Sequence, residues 1–367
     1  ASSIFVMGAF AVMRRGGGRF GDDGALAEHL DSAFVPPGGP ELRVSNAYER
    51  SRGRAIGDGL LAGAYPRLAA VRAPTRLDLG VAVAEWAFAP DVVDVLDATR
   101  PTSVDVSFPA VGEYAVSATP SESGDVMTFN VVAKVVRREL RDLDADSRDR
   151  YLGALRTLYE TSDDAGTRLY GEKYASADFF VRMHLKGAAA RECDHWHDDA
   201  GILNHHAGIT WLFEESLRSV DPSTAAHYWD YTLDGDLGAA WPSAFVFDEA
   251  WFGPVDSESR VVSRGTFAYT KVRANAADFS NVTNAFGLLR SPWNTSPTPF
   301  LARSSQTLGL AANGYASLPT CAQFADVAAT GKLSTVLHAA NGQLHGPVHI
   351  MVGGHWGVAE LDAWAPY

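Results

Sequence analysis

The hydrophobic pattern of this chain changes period once. Between about residues 77 and 134, apolar positions come in short runs that alternate in part with polar ones. The runs are Leu77-Asp-Leu-Gly-Val-Ala-Val, Val104-Asp-Val-Ser-Phe, Tyr114-Ala-Val-Ser-Ala and Val126-Met-Thr-Phe-Asn-Val-Val. Period-two alternation puts every second side chain on one face of a strand, and the Pro, Gly and Ser between the runs supply turns. The spacing predicts a small antiparallel β-sandwich of immunoglobulin-like kind over residues 61–135.

From residue 136 to 367 the pattern is mainly helical. Tyr151, Leu152, Leu155, Leu158 and Tyr159 form an apolar stripe behind a capping Asp144 or Asp146, and they read as the core of a helical domain. His206, Thr210, Phe213 and Leu217 recur at helical spacing, so an imidazole on that face points inward. His345 and His349 are four apart, and Pro347 fits only in a first turn, so a helix is expected to begin near His345.

Two stretches lack either period. Residues 1–60 are rich in Gly, Arg and Pro and read as a loop-rich segment with a short apolar start at residues 3–13. The glycines at 16–18 lack the pattern of a phosphate-cradling loop and read as a flexible connection. Residues 242–319 are loop-like; their Trp251, Phe252, Trp293 and Phe300 fit the border of a phenol pocket and fit core packing equally well.

Composition narrows the picture. At 367 residues, 46% hydrophobic and 11% aromatic, the chain is globular and long enough for two domains. A net charge of -13 argues against nucleic acid or an anionic membrane as partner. Cys193 and Cys321 are too few for a disulfide scaffold. The apolar start is shorter than the roughly 20 residues needed to span a bilayer, but it fits the remnant of a longer targeting or anchoring segment. Together with glycosylation sequons at Asn281 and Asn294, it suggests the secretory pathway, with an extracellular or organelle-lumen destination and a possible membrane association.

The histidines carry the chemistry. Nine of the eleven fall in two clusters, His184, His195, His197, His205 and His206, then His338, His345, His349 and His355. Neutral imidazole suits copper best and also serves zinc, iron and nickel, so a metal site is the leading expectation. His205 and His338 read as surface or hydrogen-bonding residues.

The spacing around these clusters resembles the type-3 copper family of tyrosinases, catechol oxidases and hemocyanins. His197 to His206 is nine residues, His206 to Glu214 is eight, and Tyr228-Trp229-Asp230 follows; the second cluster reads His345-Gly-Pro-Val-His349-Ile-Met-Val-Gly-Gly. The likeness covers roughly residues 136–367, with algal members similar from residue 133. It implies a four-helix bundle housing two copper ions, with His184, His197 and His206 on the first and His345 and His349 on the second. Asp230 and Glu214 would stand behind the ligands, with Asp230 accepting a hydrogen bond from a ligand imidazole. A third ligand for the second copper is missing, because in relatives it comes some twenty residues after the HxxxH pair, beyond Tyr367. The helical domain is therefore expected to be incomplete at its C-terminus. His355, behind a Gly-Gly turn, is a poor substitute.

Three departures from the family pattern bear on activity. The cysteine often found two residues before the middle ligand is replaced by His195, with Cys193 four before His197. A register using His195 restores Cys-x-His but spoils the nine-residue step. Gly346 and Val336 stand where active tyrosinases tend to carry Asn and Glu, and Ala207 stands where an arginine usually follows the last ligand of the first copper. The resemblance implies oxidation of catechols to o-quinones with O2, and these departures bear on hydroxylation of monophenols more than on that oxidation. The alternatives are a non-catalytic oxygen binder, or an assembly protein meeting partners through the β-sandwich or the N-terminal segment. His195-Trp-His197-Asp198-Asp199 also resembles the HxHxDH motif of zinc-dependent metallo-β-lactamase-like hydrolases, but its final histidine is Ala200 and the strand-rich pattern around that motif is absent.

Overall fold

The computed structural model describes residues 39–46, 49–50, 65, 67–188, 194, 196–197, 200–272, 298–303 and 317–352. The chain divides into two compact units between Arg137 and Arg138. Residues 3–13 and 16–18, both sequons, Cys193, His195, Trp293 and His355 lie outside the described residues.

The first unit is all β. Its strands are β1 (Arg43–Ser45), β2 (Leu68–Ala70), β3 (Thr75–Asp78), β4 (Val83–Ala89), β5 (Asp94–Asp97), β6 (Ser103–Ser107), β7 (Gly112–Pro120) and β8 (Met127–Lys134). They form two four-stranded sheets, ordered β1-β3-β6-β5 and β2-β8-β7-β4, in which β2 runs parallel to β8 and the other pairs are antiparallel. Alternation along β8 sends Phe129, Val131 and Ala133 inward, where they meet Tyr114 and Val116 of β7 and Leu77, Val104 and Val106 of the other sheet in one core. The Tyr114 hydroxyl donates to the Ala110 carbonyl at 2.9 Å, which pins the turn before β7. Arg76 and Asp105 pair in two bonds, 2.7 and 2.9 Å, across β3 and β6.

Three details differ from the sequence reading, the first being that β2 pairs in parallel with β8 in a sandwich expected to be antiparallel. The run expected from Leu77 to Val83 breaks at Gly80, whose φ of +73° suits glycine and turns the chain, so β3 ends at Asp78 and β4 starts at Val83. β1 falls inside the stretch expected to be loop, because Arg43-Val-Ser pairs with Asp78-Leu-Arg and Val44 is buried there. Three residues are too short to show alternation in sequence.

The described residues of the second unit hold seven α-helices: α1 (Ala145–Glu160), α2 (Asp163–Tyr170), α3 (Ala177–Ala188), α4 (Gly201–Val220), α5 (Cys321–Ala329), α6 (Leu333–Ala339) and α7 (Gly346–Val352). Asp144 caps α1 by accepting from the Ser147 N–H at 2.8 Å, and the expected stripe is buried. Leu152, Leu155 and Leu158 of α1, Phe180 of α3, Ile209, Phe213 and Leu217 of α4, and Val348 and Met351 of α7 share one core. Between α4 and α5 the described residues make 3-10 turns and isolated bridges, with Trp251 edge-on to Phe245 and Phe300 edge-on to Tyr269. No helix among the described residues is long and apolar enough to cross a membrane.

Candidate metal centre

Two helices and the turn between them gather the first three histidines. In α3, Ala177, Phe180 and Val181 are buried and carry His184, one turn past Phe180, onto the same inward face. The start of α3 is held by Asp163, which accepts from the Ser176 N–H at 2.7 Å and from Arg182 at 2.8 Å. The buried face of α4 presents His206 with Thr210, Phe213 and Leu217, as their spacing predicts. Ser216 ties α4 to the segment leading into α3, donating to the Ala175 carbonyl at 2.7 Å and accepting from its N–H at 2.9 Å.

His197 sits in the turn between these helices and is placed by Asp194. One carboxylate oxygen accepts from the Trp196 N–H at 2.9 Å and the His197 N–H at 3.1 Å, and the other meets His197 Nδ1 at 2.7 Å. A short acidic side chain folding its own backbone in this way fixes a turn. It also puts the proton on Nδ1 and frees Nε2 as a donor to a metal. Trp196 wedges beside the cluster, with ring centroids 5.1 Å from His184 and 5.6 Å from His206. It fits because Gly187 has no side chain: a Cβ there would lie 2.1 Å from the indole.

Donor atoms of His184, His197 and His206 all lie within 4.8 Å of one another. Nε2 of His184 and Nε2 of His206 are buried with no hydrogen-bond partner. An unpaired buried polar atom costs about 1–3 kcal/mol, and two aimed at one place are explained by a cation that takes their lone pairs.

The second pair rides on a distortion. His345 ends a π-helical turn, Ala340–His345, and α7 follows directly. In a continuous α-helix the Pro347 ring would strike the Gln343 carbonyl four residues back. The wider turn relieves this, and the Gly346 N–H reaches the Asn341 carbonyl instead. The Tyr231 hydroxyl donates to the Leu344 carbonyl at 3.1 Å and holds the turn next to His345. Nε2 of His345 and Nε2 of His349 face each other at 2.7 Å. The His345 ring stands 5.1 Å from that of His206 and 5.5 Å from that of His197. All five histidines singled out from the sequence are therefore brought together.

Four of these rings, those of His184, His206, His345 and His349, stay neutral at ordinary pH, as metal donors must. Burial, then the neighbouring His197, pulls the pKa of His184 to about 2, that of His206 to about 4 and that of His349 to about 3. Burial and His349 hold His345 well below its usual value. His205 and His338 are exposed, as expected.

The acidic residues behind the cluster divide differently from the expectation. Glu214 is buried on α4 and accepts from the Ala226 N–H at 3.0 Å, fastening the chain beyond the helix. Among the described residues the Asp230 carboxylate meets no imidazole; it accepts from the Thr232 N–H at 3.1 Å and hydroxyl at 2.6 Å. The physical reason is local, since Asp230 caps the 3-10 stretch that starts at Tyr231, whose first N–H groups need an acceptor. The carboxylate on a clustered imidazole is that of Asp194. Sequence reasoning missed both Asp194 and Tyr231. An Asp three residues before a histidine is a usable turn signal, whereas the bond from Tyr231 spans 113 residues and leaves no local trace.

Residues 174–367, more than half of the chain, match the family described as the common central domain of tyrosinase. A tyrosinase-like protein of Caenorhabditis elegans is 30% identical over 156 residues, which is 42% of this chain and 20% of that protein. The chain thus spans about a fifth of that relative's length. The family match takes in all five clustered histidines, and the chain belongs to the tyrosinase family of copper proteins.

Proposed function

We propose that this chain is a catechol-oxidase-type enzyme that converts o-diphenols to o-quinones with O2, using two copper ions. The convergence of the His184, His197 and His206 trio with the His345 and His349 pair carries this reading. An all-imidazole donor set suits copper. His184, His197 and His206 would hold one ion, and His345 and His349 would supply donors to the other. Copper, when bound, supplies the exchange of electrons between the phenol and O2.

The chain's own residues orient the donors and exclude water. Asp194 fixes the tautomer and angle of His197, Tyr231 fixes the turn that presents His345, and Trp196 closes the side of the trio. Val336 is half-buried on α6 against the cluster of Val327, Ala339 and Leu344 and offers no proton acceptor, and Gly346 has no side chain. A catechol gives up its first proton more readily than a monophenol, so this site favours the diphenol. In the helical unit, the core shared by α1, α3, α4 and α7 supports a four-helix bundle around the ions. In the β unit, the sheet orders β1-β3-β6-β5 and β2-β8-β7-β4, with the Tyr114 bond at the start of β7, support the immunoglobulin-like reading. The sequons at Asn281 and Asn294 support a secretory route.

The test is copper loading followed by oxygen uptake. Two coppers per chain with uptake on catechol and little on a monophenol is the expected result. Two coppers without uptake would select an oxygen binder, and a chain that takes no copper would leave an assembly role.

A further inference from the structure

The helical unit holds a second concavity, and among the described residues none of the five clustered histidines lines it. It lies, partly open to solvent, between walls that include Tyr159, Val262, Phe252, Phe267 and Val352. Phe252 and Phe267 stack with ring centroids 5.7 Å apart, and Tyr159 meets Phe267 edge-on at 6.1 Å. Apolar walls and few polar groups are ordinary features of a small-molecule site.

One wall residue breaks the apolar pattern. The Arg303 guanidinium lies over the face of Phe247, 4.4 Å from the ring centroid, and donates to the Gly253 carbonyl. No carboxylate among the described residues pairs with it, and burial alone draws its pKa down to about 10. The other titratable wall residues carry no charge at neutral pH. His227 is depressed to about 3 by burial and by Arg138, and burial raises the Tyr151 and Tyr159 phenols. Guanidinium has five N–H donors in a planar fork; stacking occupies its face and leaves edge donors for an anion. A cation partly removed from water without a counter-charge is unfavourable unless something completes it.

We propose that this pocket binds an apolar carboxylate, an aryl-alkyl acid whose ring lies against Phe252 and Phe267 and whose carboxylate pairs with Arg303. The aromatic walls accept the body, and the guanidinium edge selects the charge.

Calorimetric titration of the full chain with 4-phenylbutyrate and with 4-phenylbutan-1-ol tests it. The acid should bind one per chain and at least tenfold more tightly than the alcohol, with the same affinity in copper-loaded and metal-free protein. Arg303→Gln should bring the acid down to the level of the alcohol without changing the alcohol. Val262→Phe, which fills the pocket, should weaken both at least tenfold. Equal affinity for acid and alcohol, no binding of either, or binding that disappears with the copper would each overturn the proposal. So would unchanged binding in both variants. The wild-type comparisons decide the matter even if a variant fails to fold.

Discussion

At the scale of single residues, the centre depends on side chains that hold histidines rather than on histidines alone. Asp194 does two things with one carboxylate: it folds the turn through Trp196 and His197, and it orients the His197 ring. Asp194→Asn separates the two. The amide oxygen can still accept from the backbone N–H groups, but its NH2 group then faces His197 Nδ1, which reverses the tautomer preference. Copper affinity should fall about 10–100-fold, as is usual when a residue behind a ligand is lost, while the melting temperature of the metal-free protein barely moves. A copper titration giving wild-type affinity would remove Asp194 from this role. Gly187 makes a steric argument of the same kind. On a helix, Gly→Ala normally stabilises by up to about 1 kcal/mol. Here the new methyl would sit 2.1 Å from the Trp196 indole, which is itself packed on His184 and His206. Gly187→Ala should instead destabilise by about 1–3 kcal/mol, the usual range for overpacking, read as a lower denaturant midpoint.

At the scale of elements, the π-helical turn before α7 links the aromatic stretch after α4 to the second histidine pair. Tyr231→Phe keeps the ring in its place, edge-on to Trp229, and removes only the donor to the Leu344 carbonyl. The expected loss is about 1 kcal/mol of stability, with weaker retention at one of the two copper positions, so that dialysis at limiting copper leaves closer to one ion per chain. Retention of two ions would show that the turn needs no such support. This element also marks where sequence reading stops. The stripe of α1, the inward face of α4 and the start of α7 were legible because period and proline placement are local signals. β1, with three residues, and the edge strand β5, whose residues are mostly exposed, carry no alternation to read. Asp230 misled because proximity in a motif is not proximity of a side chain, and the needs of the adjacent 3-10 segment prevailed.

At the scale of the whole molecule, the set of buried imidazoles sets the response to acid. His184, His206, His227 and His349 are depressed from 6.5 to about 4 or lower, and His345 lies well below 6.5, chiefly through burial. The unfolded chain takes up a proton at each of these sites as pH drops below about 6.5, while the native protein refuses them until pH approaches about 4, where His206 begins to titrate. More protons on the unfolded state means that stability contributed by these groups is present above 6.5 and is lost steadily between 6.5 and 4. Glu139, raised by burial, acts in the opposite direction but is one group against five. Asp105 and Asp221 are lowered from 3.8 by their arginine and serine partners and matter only below about that pH, so the two windows separate. The metal-free protein should therefore show a falling denaturant midpoint between pH 7 and pH 5, before the lowered carboxylates of Asp105 and Asp221 contribute. Copper-loaded protein should resist the first part of this fall, because a bound ion excludes the proton from each ligand nitrogen, and should then release metal and lose stability together. A flat midpoint from pH 7 to pH 5 in the metal-free protein would mean that these rings are not buried as a group, and the metal centre would lose its physical basis with them.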